Sequence, residues 1–232
     1  MKLKVVSFKA CPFVQRVLIV LECKRIKYDV EYIDLAAPPD WFLAISPLKK
    51  VPLLIVGEDV IFESNVINEY IEERYDNKMH PDSLIKKAQN RSWIEFGSSV
   101  SMCTFRLTIL QDKSKFIVEL EELSNYFNQI EKVLVNEPFF NGSSLSLVDA
   151  TYAPAFQRID FIEQIYGSIY DKKSHRKVIN WKNRLLDLEP LRKSTVPNIK
   201  ELYYQLLWTR QGHISHFLDE ETFGNRGPQS VY

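Results

Sequence analysis

The sequence predicts a chain in two parts, a mixed α/β unit followed by an all-α bundle. Three observations carry that expectation. Strand-like and helix-like hydrophobic patterns alternate as far as Tyr75, a polar stretch from Asp76 to Ser83 then interrupts them, and beyond it only helical periodicity is found.

The first part reads in order. Leu3 to Phe8 is a short apolar run of strand length. After Ala10-Cys11-Pro12, residues Phe13, Val17, Val20, Leu21 and Lys24 fall at helical steps, and Pro12 suits a first helical turn, where its missing N–H is not needed. That places Cys11 at the helix N-cap. Tyr28 to Ile33 alternates as a second strand, and Asp40 to Ile45 reads as a short helix. Pro52 to Val56 and Asp59 to Phe62 flank Gly57-Glu58, a hairpin signal. Glu63-Ser64 then opens a helix to about Tyr75, with Ile67, Tyr70, Ile71 and Arg74 marking its face. Parallel pairing with an antiparallel edge follows from this order, and the unit fits a thioredoxin-like domain spanning 1–76.

The second part, 84–232, reads as helices over Leu84–Leu110, Phe116–Val135, Ser146–Tyr166, His175–Leu188 and Pro197–Arg210. Ala88, Trp93, Phe96 and Val100 mark the expected face of the first. Ser146-x-x-Asp149 has the pattern of an N-terminal capping box. Gln211 to Tyr232, broken by Gly212, Gly224 and Gly227, is expected to pack loosely or lie over the surface.

Composition excludes several function classes. Thirty basic residues balance thirty acidic ones, so no charge excess points to nucleic acid or an anionic membrane. No apolar run approaches the ~20 residues of a membrane span, and Met1 to Ala10 is too short and mixed for a secretory signal. A cytoplasmic protein is expected. Three cysteines are too few and oddly numbered for a disulfide framework. The four histidines lack a cysteine or carboxylate cluster, so no metal is expected, and they read as surface or tail residues.

Chemistry is expected at Cys11. The thiolate is the reactive form of cysteine, and a helix N-terminus, with its partial positive charge and free N–H groups, favours it. Arg16 and Lys9 could add positive potential. The competing reading, a small buried hydrophobe, fits Cys23 and Cys103 better than a strand–Cys–Pro–helix junction. Val14 stands where a dithiol motif would place its second cysteine, so a redox cycle at Cys11 needs an external thiol.

Cys11-Pro12-Phe13-Val14-Gln15-Arg16 resembles the active-site motif of omega-class glutathione transferases, of glutathione-dependent dehydroascorbate reductases and of chloride intracellular channel proteins. Pro39-Asp40-Trp41-Phe42-Leu43, Ile45-Ser46-Pro47, Lys50-Val51-Pro52-Leu53, Glu63-Ser64, Phe139-Phe140-Asn141-Gly142 and Ser146-Leu147-Val148-Asp149 extend the resemblance to about residue 210. It implies the glutathione transferase fold, with glutathione as co-substrate in the first domain and a second substrate held by the helical one. Carried over residue by residue, it implies a cis Val51–Pro52 bond with the Val51 backbone pairing the cysteinyl unit of glutathione. Ser64 would cap its helix and meet the γ-glutamyl carboxylate, Glu63 would face the γ-glutamyl ammonium, and Phe13 would lie beside the sulfur. Ala37-Pro38-Pro39 departs from the omega pattern, which often carries a lysine there for the glycyl carboxylate; the resemblance then implies either that Lys49 or Lys50 takes its place or that the glycyl end is bound more weakly. The implied activity is thiol transfer or dehydroascorbate reduction through a Cys11–glutathione mixed disulfide, acting on a small disulfide or electrophile. Conjugation of glutathione, with Ser7 as the nearby hydroxyl, and a non-catalytic regulatory role are the alternatives. The resemblance leaves monomer and homodimer both open.

Overall fold

A computed structural model describes residues 2–135 and 137–219. The first part contains β1 (Leu3–Ser7), α1 (Pro12–Cys23), β2 (Tyr28–Tyr32), α2 (Asp40–Ile45), β3 (Leu53–Val56), β4 (Asp59–Phe62) and α3 (Ser64–Arg74), in the order the sequence predicts. The sheet order is β2-β1-β3-β4. β1 pairs parallel with β2 (Val5 opposite Val30) and antiparallel with β3 (Val5 opposite Leu54), and β3 and β4 form the antiparallel hairpin. Leu3, Val5 and Val6 are fully buried, as expected of a central strand covered on both faces.

The second part contains α4 (Leu84–Leu107), α5 (Lys113–Val133), α6 (Leu147–Tyr166), α7 (Arg176–Leu186), α8 (Glu189–Lys193) and α9 (Ile199–Arg210), with a 3-10 turn at His213–Phe217. This is a thioredoxin-like domain followed by a helical domain. No described helix is long and apolar enough to cross a membrane. α8 was not expected: at five residues it is too short to show a period.

α1 and α6 form the contact between the two parts, and α6 runs through the middle of the helical domain. The capping box at its start is formed as expected. Asp149 does more than cap. Its carboxylate accepts from the Ser146 N–H at 2.8 Å, the Ser146 hydroxyl at 2.6 Å, the Phe140 N–H at 2.9 Å and the Trp181 indole at 2.6 Å, with no exposure to solvent. It therefore ties α6 to the preceding loop and to α7.

Several expectations are corrected. On α4, Val100 is buried as expected, alongside Asn90, Ile94, Gly97, Ser101, Cys103, Thr104 and Leu107, whereas Ala88 is exposed and Trp93 and Phe96 are half-buried. Small and polar residues share this face, and α6 approaches closely at Gly97: a Cβ there would stand 2.7 Å from the Tyr152 ring and 2.8 Å from the Thr151 methyl. His80 and His175 are buried, not superficial; His80 meets Glu69 at 2.8 Å and His175 meets Asn128 at 3.0 Å. The segment after α9 packs as well. Ile214 is fully buried and the His213 N–H donates to Leu110 O at 2.6 Å. The rest of the tail, 220–232, lies outside the described residues.

Replacing Asp149 by Ala strands three N–H donors and removes the reciprocal half of the capping box, while the Ser146 hydroxyl can still accept the residue-149 N–H. Unsatisfied buried donors cost about 1–3 kcal/mol each, so Asp149→Ala should lose at least about 3 kcal/mol. The check is the urea midpoint; Asp149→Asn, which keeps an acceptor, should fall less, and an unchanged midpoint for the alanine variant would refute the assignment.

Candidate active site

Cys11 is the N-cap of α1, as its position before Pro12 predicts. Pro12 opens the helix and adds no N–H, so the next backbone N–H groups, those of Phe13 and Val14, are free to serve the sulfur. Cys11 lines a cavity of about 480 Å³ between the two domains. Phe13, Lys50, Val51, Pro52, Glu63 and Ser64 line the same cavity, together with Lys49. The structure thus brings together every residue that the sequence singled out for glutathione; the part each plays there belongs to the proposal below.

Local geometry explains how they converge. The Val51–Pro52 bond is cis. Ser46 clasps the turn before it, accepting the Lys50 N–H at 3.1 Å and donating to Lys50 O at 3.2 Å. Lys49 sits in the left-handed region at φ 52°, which turns the chain back toward the cavity. The expectation that Ser64 caps α3 is corrected. Glu63 holds the cap position, at φ 69° and ψ 118°, and Ser64 is the first helical residue. A non-glycine residue in such a region is strained, and strain of this kind persists where the surroundings over-determine it, often at ligand sites.

The charges of two buried guanidiniums act on the sulfur, and the sequence revealed neither arrangement. Arg16, foreseen only as a nearby charge, is fully buried. It donates to Asn65 Oδ1 at 3.1 Å, Ser98 Oγ at 3.0 Å and Ser101 Oγ at 3.1 Å, and lies 4.8 Å from the Phe13 ring centre. Arg158, on α6, is 3% exposed; it donates to Gln15, to Gln157 and, at 3.2 Å, to Ala10 O. Neither forms a salt bridge among the described residues. Burial lowers both guanidiniums to about 10, which leaves them charged at neutral pH.

The expectation of a thiolate at neutral pH needs correction for the empty cavity. Burial is the largest influence on Cys11 and raises its pKa; the Val14 and Phe13 N–H groups, then the charges of Arg158 and Arg16, pull it down without cancelling that cost. Cys23, raised by burial to about 12, and Cys103, also raised by burial, have no cavity to serve. The Ser7 hydroxyl is buried and donates to Phe8 O at 3.1 Å, away from the cavity lining.

The opposite wall comes from α4, α6 and α9, with Met102, Phe105, Ala155, Arg158, Tyr203 and Leu206 among its residues. No motif in the sequence singled out this wall, to which α6 contributes Ala155 and Arg158. The signal is absent from local pattern, since its residues meet only through the packing of three helices. No group of three metal-ligating side chains occurs among the described residues.

A thiol raised by burial gains thiolate only as the solution becomes alkaline. Alkylation of Cys11 by iodoacetamide should therefore keep rising with pH from 7 through 9. A plateau below pH 7 would contradict this balance of burial against charge.

Comparison with known proteins gives the arrangement its family. The model of the glutathione S-transferase N-terminal domain matches residues 5–79, and that of the C-terminal domain residues 92–184. Glutathione S-transferase omega-1 of Sus scrofa is 34% identical over 165 residues, 69% of this chain and 68% of that protein. Glutathione S-transferase DHAR3, chloroplastic, of Arabidopsis thaliana is 32% identical over 146 residues, 62% of this chain and 53% of that protein. The crystal structure of glutathione transferase Omega 3C from Trametes versicolor shares the fold, with a TM-score of 0.75 at 24% identity over 84% of this chain and 89% of that one. The fold, the matched domains and these relatives together mean that the chain belongs to the glutathione S-transferase family, as an enzyme of the omega-like type.

Proposed function

We propose that the protein is a glutathione-dependent thiol transferase, active on small mixed disulfides and on dehydroascorbate, with Cys11 as its single nucleophile. The observation that carries the reading is Cys11 itself: a cap-position cysteine, partly exposed to the cavity and under the positive charge of two buried guanidiniums that form no salt bridge among the described residues. Cys11 thiolate attacks the glutathionyl sulfur of a mixed disulfide. The old S–S bond breaks, the partner leaves as a thiolate that takes a proton from water, and Cys11 is left bonded to glutathione. A second glutathione thiolate attacks that bond, restores Cys11 and leaves as glutathione disulfide. A protonated resting thiol does not prevent this, because even a small fraction of cysteine thiolate is strongly nucleophilic.

Glutathione is read as lying along the first domain. The Val51 backbone before Pro52 pairs with its cysteinyl unit, Glu63 faces its ammonium, and Ser64 at the start of α3 receives the γ-glutamyl carboxylate. Lys49 or Lys50 takes the glycyl carboxylate in place of the missing lysine, and Phe13 flanks the sulfur. A cytoplasmic location is part of the same reading. Conjugation is disfavoured because Ser7 is not among the residues that line the cavity and its hydroxyl is bonded to Phe8 O.

Glutathione-dependent reduction of a small mixed disulfide, and of dehydroascorbate, is the test. Cys11→Ser should cut turnover by about a thousandfold or more, as loss of a nucleophile does elsewhere. Retention of full activity in the serine variant would sink the mechanism, and the faster of the two substrates names the subclass.

A further inference from the structure

The wall contributed by α4, α6 and α9 has an uneven chemistry. Met102, Phe105, Ala155 and Leu206 are apolar. Set among them are two polar groups that the protein leaves unsatisfied. Tyr203 is 4% exposed, and its hydroxyl makes no hydrogen bond. Arg158 is 3% exposed; its two terminal nitrogens are committed to Gln15, Gln157 and Ala10, while its Nε–H has no acceptor. The two are neighbours, with the guanidinium carbon 6.0 Å from the Tyr203 ring centre. Arg210 also lines this wall, stacked 4.9 Å from the Phe105 ring centre and donating to Thr108 Oγ1 at 2.7 Å. Among the described lining residues the one carboxylate is Glu63, which belongs to the first-domain side, where glutathione is read to bind.

Buried donors are almost always paired, so an orphan hydroxyl and an orphan guanidinium N–H side by side in a cavity wall call for an acceptor brought by a ligand. A neutral carbonyl could satisfy one of them. A carboxylate satisfies both, because it has two acceptor oxygens and a charge to set against an unpaired buried cation. A cationic acceptor would meet that cation with no counter-charge.

We propose that this wall selects acceptors bearing a carboxylate close to the reducible sulfur, and that Tyr203 and Arg158 are the residues that read it. The inference rests on the thiol-transfer reading and specifies the substrate class of that same site. In the exchange, the acceptor's sulfur leaves the glutathionyl sulfur as a thiolate, carrying the electron pair of the broken S–S bond and taking a proton from water, while its carboxylate stays held on the Arg158 side.

Three mixed disulfides of glutathione test this, all with the same S–S bond but different tails: 3-mercaptopropionate (anionic), 2-mercaptoethanol (neutral) and cysteamine (cationic). For the wild type, kcat/KM should be about tenfold higher for the anionic than for the neutral disulfide, the size of one charge-assisted hydrogen bond, and lowest for the cationic one. Tyr203→Phe keeps the ring and its packing and removes only the orphan hydroxyl; the anionic-to-neutral ratio should fall by about threefold or more. Arg158→Gln should bring the ratio close to one. If Arg158→Gln fails to fold, the phenylalanine variant alone decides. Equal kcat/KM for the three disulfides in the wild type, or a ratio unchanged in Tyr203→Phe, overturns the inference while leaving thiol transfer standing. No turnover of any of the three overturns thiol transfer itself, and this inference with it.

Discussion

The second turn of α1 is the constraint on which the rest of the molecule depends. Gln15 and Arg16 reach out of the thioredoxin-like domain and are buried in the helical one. Gln15 donates to Gln157 at 3.0 Å and Ser194 at 3.2 Å and accepts from Arg158, while Arg16 binds Asn65, Ser98 and Ser101. The same helix carries Cys11 one turn earlier. The docking of the two domains and the position of the nucleophile are therefore one geometry, set by a single run of six residues. A guanidinium buried against a carboxylate would be electrically silent at the sulfur. Here Arg16 is hydrogen-bonded only to neutral oxygens, with its Nε–H left unpaired and Glu95 near but forming no salt bridge with it, so its charge still acts on the sulfur.

The other end of α1 is held by an opposite solution. Lys24, just past the helix, and Glu72, on α3, form an ion pair at 2.8 Å with side chains 0% and 2% exposed. Every spare site on this pair is used. Glu72 accepts the Met79 and His80 N–H groups, both at 2.9 Å, and Lys24 donates to Asp76 O at 3.1 Å and Asn77 O at 2.9 Å. A buried pair is tolerable when its remaining donors and acceptors find partners of this kind. The link between the domains is polar in sequence, yet its backbone is pinned by the pair. Neutralised charge thus fixes the chain at one end of α1, and unneutralised charge serves the sulfur at the other.

This contrast explains what could be read in advance. The seven elements of the first domain were legible because each is encoded locally: alternation in Tyr28–Tyr32, a turn at Gly57-Glu58, a proline after Cys11. The residues gathered around Cys11 in the first domain were legible for a different reason, since their motifs resemble those of a family. The buried face of α4 was read only in part, because hydrophobic periodicity looks for large apolar residues such as Val100 and passes over Asn90, Gly97, Ser101 and Thr104, which are buried with it. Arg158 and Tyr203 left no local trace. An arginine in a helix reads as a solvated face until a second helix, forty-odd residues on, closes over it. Burial also undid the simplest electrostatic expectation, because a helix N-terminus favours a thiolate only as far as desolvation allows.

Under the proposed cycle, the two uncompensated guanidiniums serve a moving charge, not a resting one. In the first exchange negative charge passes from the Cys11 sulfur through the glutathionyl sulfur to the leaving sulfur; in the second it passes from an incoming glutathione back to Cys11. Three sulfurs in line carry it each time, and the charge never leaves the neighbourhood of Arg16 and Arg158. A site that fully ionised Cys11 in the empty enzyme would hold a weaker nucleophile, since nucleophilicity falls with thiol pKa. Burial opposing two cations gives a different balance: a thiol that resists ionisation at rest, and a transition state whose shared charge finds both cations already in place. The desolvation that makes Cys11 a reluctant acid is thus the same property that makes the surrounding charges effective once the reaction begins.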